Sequence, residues 1–594
     1  MNRQSGAAGA SHIGRMLKRA SSWVCLGSLL LAASFACSAG SSGKSGVSGT
    51  TGNTGSGNAP GTGGSLVFGN GGTVDISTGG GSSGTNEDPQ TCADAANNKT
   101  YVGCDFWPSV VYNPVYEVFD FAAVVANAGT TPADVTVSRS TGSVQVTVQP
   151  GSLQEIKLPW VPELKGPAFN ALTQGSRPTT SVRSDGGAYH LTSTVPVTVW
   201  QFNPLEYQLT ASELMSEMRT CDYPPTASNS DGTNCESVSA DAALLIPSTA
   251  LTGNYRVSSK SAIPIGAPDG TGVSDSAGGF EITATQDMTH VKIQLSDDLA
   301  GGTGVTAAKK GDVVEYDMNA GDVLELLSQP APYADVPHSD LSGSVINATN
   351  PVQVIGFNPL TTVPSLAVPP VGSCCADHLE ETVLPAEVLG KHYVIASPST
   401  HTGKNAGHYL RFMGDFDNTT LLYKPAAPTN APGTLMAGQI VEIDVTPGFE
   451  VEADQPFSLT STMKSGTVQN GCTADPDCYI GDPSMTDEIA VEQFRKDYIF
   501  LAPADFAFNW ADVLVPTGAN VTLDGSPLSG TPETIDDSWT VMRVPLMTGN
   551  SMGAHKLASD MPIGLQVMGY GHATSYYYPG GLNLNFIASV PTIK

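Results

Sequence analysis

The sequence predicts an all-β protein built from about four tandem β-sandwich-like units, and three observations predict it. Only 14% of the 594 residues are charged, while Gly 64 and Pro 42 supply frequent turns, a composition suited to short strands rather than to long surface helices. Apolar residues alternate within short runs, the period of a strand. Similar segments also return along the chain, as in an array of equivalent units. A chain of this length exceeds what one hydrophobic core supports, so several domains are expected.

Residues 1–37 read as an export signal. Arg15, Lys18 and Arg19 precede the apolar run Val24 to Ala36, which is too short to span a bilayer and has signal-peptide form. The run ends Ser34-Phe35-Ala36-Cys37, where a small residue before cysteine resembles the bacterial lipoprotein signal. That resemblance implies lipidation at Cys37 and, with Ser38 rather than Asp following, an outer-membrane lipoprotein exposed at the cell surface. An ordinary signal peptide cut near Ala36, giving a secreted protein, is the alternative. Residues 38–91 are almost entirely Gly, Ser, Thr and Asn, a flexible tether that buries no core.

The first β unit is placed at 92–240, with cysteine-containing flanks, and the others follow at 241–381, 382–495 and 496–594. Leu191 to Leu205, LTSTVPVTVWQFNPL, aligns without gaps on Ile346 to Leu360, INATNPVQVIGFNPL. Weaker copies lie at Val451 to Thr460 and Leu557 to Met568. In each, a polar turn stops one strand and a proline (Pro196, Pro351, Pro456, Pro562) opens the next, where no ladder N–H is needed. Upstream of each proline a second turn leads into a strand: ADVTVS at Ala133, DMTHVKI at Asp287, DNTTLLY at Asp417 and ANVTLDG at Ala519. Between the two elements come Pro150-Gly151, Ala320-Gly321 and Ala437-Gly438, and units two to four open with GNYRVSS at Gly253, GKHYVIAS at Gly390 and RKDYIFLAP at Arg495. Stacked sandwiches are the first reading. A β-propeller-like ring is the alternative, and the unequal spacing of the prolines argues against it.

Cysteine usage agrees with export. Outside the signal segment lie Cys92, Cys104, Cys221, Cys235, Cys374, Cys375, Cys472 and Cys478, an even number that favours disulfides over zinc. Proximity along the chain pairs Cys92 with Cys104, Cys221 with Cys235 and Cys472 with Cys478. The adjacent Cys374 and Cys375 bridge each other or reach elsewhere.

A formal net charge of −29 and no basic patch exclude nucleic acid as a partner. No HExxH motif, no GxSxG nucleophile elbow on a strand-to-helix turn and no complete phosphate loop is read, so no catalytic residue, cofactor or metal is assigned. The turns Asp415-Phe416-Asp417-Asn418 and Asp475-Pro476-Asp477 carry oxygens for calcium, but read better as acidic turn residues. The cluster Cys374 to Glu381, with Asp377, His378 and Glu381, reads as a disulfide-anchored loop rather than an acid/base pair or metal site. Tyr570, Tyr576, Tyr577 and Tyr578 are the candidate binding surface, tyrosine offering contact area with a polar handle; tyrosines alternating into the last sheet are the competing reading.

The CADHLEE segment at Cys375, GDPSM at Gly481, the repeated PVxV strands and the closing YGHATSYYYPGGL at Tyr570 together resemble the N-terminal domain family of IgGFc-binding proteins, over roughly Cys104 to Lys594. The resemblance implies an extracellular, non-enzymatic binding or adhesion module that recognises a protein or glycan. Abundant carboxylates keep a second class open, an envelope polysaccharide hydrolase working with a carboxylate pair.

Overall fold

The structure, a computed structural model, describes residues 88–168, 180–216, 234–237, 239–261, 277–329, 339–364, 375–472, 476–546 and 553–593. It is all-β and antiparallel in its strand pairs, and the sequence repeat becomes a repeat of strand order. In the first unit the strands of the sandwich are, in chain order, Gly103–Phe106, Phe121–Asn127, Ala133–Arg139, Gly142–Val148, Ser152–Leu158, His190–Asn203 and Asp241–Leu244, while Val182–Ser184 joins Val323–Leu327 of the second unit and Gln208–Thr210 pairs with Asn234–Glu236. The long strand His190–Asn203 serves two layers. Its start lies between the first and third strands, and its end lies between the second strand and Asp241–Leu244. Counting its halves as sixth and seventh segments, one layer runs 1-6-3-4 and the other 8-7-2-5.

The same order holds in all four units. In the second, Asn254–Arg256, Val345–Ala348, Thr289–Gln294 and Val313–Met318 form the first layer, and Asp377–Thr382, Val352–Thr361, Gly279–Ala284 and Val323–Leu327 the second. In the third, the layers are His392–Ile395, Phe449–Ala453, Thr419–Lys424, Thr434–Leu435 and Met485–Asp487, Phe457–Thr462, His408–Gly414, Ile440–Val445. The fourth again uses one long strand, Gly553–Gly571. Its first half pairs with Arg495–Ala502 and Val521–Leu523, and its second half with Phe508–Pro516 and Thr574–Pro579.

The recurring sequence elements explain this topology. The motif proline stands where the chain leaves one layer for the other. The side chain two residues before it accepts a backbone N–H at the start of the third strand in every unit: Asp134 to Thr194, 3.0 Å; His290 to Thr349, 2.9 Å; Thr420 to Asp454, 2.8 Å; Asn520 to Asp560, 2.9 Å. The two repeated turns are therefore halves of one device. Gly151, Gly321 and Gly438 supply the positive φ (66°, 86° and 74°) that the turn into the fifth strand requires. The tyrosine opening units two to four is buried on the first strand, and its hydroxyl donates to the carbonyl just past the proline: Tyr255 to Val352, 2.6 Å; Tyr393 to Phe457, 2.6 Å; Tyr498 to Ile563. In the first unit the equivalent residue, opposite Leu191, is Phe106.

Alternating side chains fill each sandwich. Phe121, Ala123, Val125, Val135, Val137, Leu191 and Val199 pack in the first, and Phe280, Ile282, Val291, Ile293, Ile346 and Val354 in the second. The strand Asp241–Leu244, assigned from sequence to the second unit, pairs with the first, so the boundary moves beyond Leu244. The eighth segments of the four units touch in cyclic order, first with second, second with third, third with fourth and fourth with first. The units are thus sandwiches arranged as a closed ring. The uneven proline spacing misled because length differences fall in connections, such as that between Asn203 and Asp241.

Candidate functional site

The axis of the ring is where the four units meet chemically. Each eighth segment is the edge of its layer, hydrogen-bonded on one side only, so its other side presents unpaired N–H groups that a buried edge must satisfy. Asp241 does this for every other unit. Its carboxylate accepts from Glu380 N (3.2 Å), Met485 N (3.2 Å) and Tyr577 N (3.4 Å), one from each remaining unit, and from Ser484 Oγ and Ala242 N. Asp377 links the first and fourth units, accepting from Ala240 N (2.8 Å) and more distantly from Thr574 Oγ1 and Ser575 N. Asp482 accepts from Cys375 N. Burial pushes Asp241, Asp377 and Asp482 well above the ordinary carboxylate range, and the neighbouring Asp482 and Asp241 push Asp377 further.

His378 is fully buried beside Asp377, with Nε2 3.1 Å from Glu380 and 3.4 Å from Asn203. Asp377, His378, Glu380 and Glu381 are all within 3% of complete burial. The cluster is accordingly a strand of the axis rather than the loop expected from sequence, and no polymer reaches its side chains.

The tyrosines expected to form a binding surface are inside the molecule. Tyr570, Tyr576, Tyr577 and Tyr578 are 0% exposed. Their hydroxyls donate to Ser399 O, Asn509 Oδ1 (2.7 Å), Gln566 Oε1 (2.7 Å) and Leu501 O respectively. The reason is the ring: the last strand, Thr574–Pro579, has no outer face, because its two sides meet other units.

Cys92–Cys104 and Cys472–Cys478 are disulfides. Cys235 and Cys375 are also disulfide-bonded, while Cys221, Cys374 and Cys37 lie outside the described residues. The acidic turn at Asp415 is structural: Asp415 pairs with Arg256 of the second unit at 2.8 Å, and Asp417 accepts from Ala437 N. Asp475 and the Asp477 side chain lie outside the described residues. Among the described residues, His392, Glu450 and Glu452 form the group of three that could approach one metal ion, and Lys424 already pairs with both glutamates.

Surface available to a partner lies on the first layers, away from the axis. In the first unit a shallow concavity of about 390 Å³ is lined by Asp134, Thr136, Gln145, Thr147, Thr192 and Thr194, among others. Its floor includes the edge strand Gly142–Val148, exposed along most of its length. Hydroxyls, amides and one carboxylate there can exchange hydrogen bonds with a polar ligand; no nucleophile–base pair is present in that lining. Sequence reasoning missed this face because isolated Thr and Gln on alternating strand positions look like any solvated sheet.

A family model described as IgGFc binding protein matches residues 241–569, from the axial strand of the first unit into the last long strand of the fourth. No curated protein matches the chain.

Proposed function

The chain belongs to the IgGFc-binding protein family, and from that premise we propose that it is a non-enzymatic adhesion protein of the cell surface, binding an extracellular protein or glycan. It is held in the outer membrane by a lipid on Cys37 and displayed on the tether 38–91, whose last residues from Asp88 onward are docked on the folded body. The observation that carries the reading is the division of the ring: its acids and tyrosines are consumed in holding units together, while the hydroxyl-rich concavity of the first unit is left to solvent. Flat, polar sheet faces of this kind suit a ligand recognised by hydrogen bonds over a broad contact. For the hydrolase alternative, Asp377 with Asp482 and Glu281 with Glu325 are carboxylate neighbours buried where no saccharide fits, and the outer pair Glu450 with Asp536 is already engaged through Glu450 by His392 and Lys424.

The test uses the exported chain against extracellular-matrix proteins, immunoglobulin and a glycan array, with Thr136→Arg/Thr147→Arg in parallel. Binding by the wild type, reduced at least tenfold in the variant with an unchanged Tm, is the expected result. Equal binding by both would place recognition elsewhere, and failure against every ligand class would overturn the adhesion reading. Labelling of cells with a palmitate analogue, lost in Cys37→Ala, is the expected sign of the anchor.

A further inference from the structure

The four junctions of the ring use one equivalent pair of positions, the centre of the second strand and the residue facing it on the fifth. At the junction of units two and three the pair is Arg411 and Glu442, 3.2 Å apart, and Arg411 also donates to Ser259 O of the second unit at 2.8 Å. Between units three and four the signs are exchanged: Asp512 faces Arg543 at 2.8 Å, and Arg543 donates to Ser397 O of the third unit at 2.8 Å. These two junctions thus each carry one buried guanidinium held by two carboxylates, Arg411 by Glu442 and Asp340 and Arg543 by Asp512 and Glu533. Between units four and one the pair is Val124, packed in the apolar core those units contribute to, and the partly buried Glu155.

The junction of units one and two has neither a guanidinium nor an apolar member in its pair. The pair there is Glu281 and Glu325, directly opposed across the strands and 1% and 3% exposed. Side chains so opposed have Cβ atoms about 5 Å apart. Glu325 accepts from Tyr112 N at 3.0 Å. The Glu281 carboxylate is buried with the Ser109 hydroxyl as its hydrogen-bonding neighbour, and Gln353 Oε1 nearby is buried without a hydrogen-bond partner. The charges acting on the two glutamates are each other and Glu380. Burying such a pair without a counter-charge is strongly unfavourable.

We propose that this junction binds a hard divalent cation, calcium in the first instance, held by Glu281 and Glu325 with Ser109 and Gln353 as neutral oxygen donors. The ion takes the place that a guanidinium fills at the next two junctions. An all-oxygen donor set with two carboxylates matches calcium or magnesium and excludes the softer metals that require nitrogen or sulfur. Calcium tolerates the irregular geometry that a junction of two sheets imposes. The ion would therefore link the first unit to the second, as Arg411 links the second to the third.

The test is elemental analysis of the full chain purified in millimolar calcium, then thermal unfolding with calcium and with EDTA at pH 7.5. One calcium per chain and a Tm lowered by about 5 °C or more in EDTA are expected, since a ligand that binds only the folded state stabilises it. Glu281→Gln should lose the ion. Glu281→Arg, which copies the Arg411 arrangement opposite Glu325, should lose the ion and yet keep a Tm indifferent to EDTA. Wild type without bound metal, and with a Tm unmoved by EDTA and calcium, would overturn the proposal and assign the place to shared protons. Calcium retained in Glu281→Arg would overturn it by locating the ion elsewhere.

Discussion

Glu488 sits just past the axial strand of the third unit, 3% exposed, and its carboxylate accepts from Gln566 Nε2 of the fourth unit at 2.6 Å. Burial pushes it up to about 8, with Asp487 adding to the rise and the Gln566 hydrogen bond opposing it; burial likewise takes Asp487 to about 7. A carboxyl that holds its proton more tightly when folded stabilises the fold fully below its unfolded value of 4.5, and that contribution is lost as pH rises through about 8. The slope is about −1.4 kcal/mol per pH unit for one such group. Denaturant unfolding between pH 5 and 8 should therefore show stability falling with pH. In Glu488→Gln the fall should be shallower by roughly that slope. A wild type whose stability rises over this window, or a variant with an unchanged profile, would show that Glu488 is ionised in the folded state.

At the scale of the element, the tyrosine of the first strand and the turn before the proline form the device on which every unit depends. Tyr393 is 2% exposed and gives its hydroxyl to Phe457 O, at the crossing between layers where the carbonyl lacks a ladder partner. Tyr393→Phe keeps the ring but strands that acceptor, and should cost about 1–3 kcal/mol, read as a lower midpoint in urea with an unchanged m-value. Phe106 already occupies the equivalent place in the first unit, so Phe106→Tyr is the informative companion. A Tyr393→Phe variant as stable as wild type would mean that the carbonyl finds other partners. The strands, the prolines and the turn residues of this device were legible in the sequence because each is a local signal, a period of two or a turn residue with its own backbone preference. Its closure was not, since Asp454 and Thr420 meet only when strands distant in the chain pair. The axis was illegible for the same reason. Asp241 reads as one acid among many, and the run of tyrosines at Tyr576 reads as exposed until the neighbouring units are present to cover it.

For the whole molecule, a ring made from one chain must be closed between its first and last units, and here both ends of the described chain take part. Thr100 pairs with Asn583, Leu584 N donates to Lys99 O at 2.8 Å, and Arg495 binds Asn583 at 2.7 Å and Asp88. Leu582 and Leu584 are 1% and 0% exposed, inside a core that also holds Tyr101, Val124, Trp200 and Phe500. That core draws on the first, third and fourth units, unlike those within the second and third sandwiches, which are private. Removing either leucine costs about 2–5 kcal/mol by cavity formation, and the loss should fall on both sides of the seam. In Leu582→Ala/Leu584→Ala, amide exchange is expected to quicken in 99–106 of the first unit and in 495–502 of the fourth, while 279–284 and 408–414 keep their protection. Faster exchange confined to the tail itself would mean that the tail only covers a seam held by other contacts. Faster exchange spread evenly over all four units would mean that the ring opens as one cooperative body, with no weakest junction.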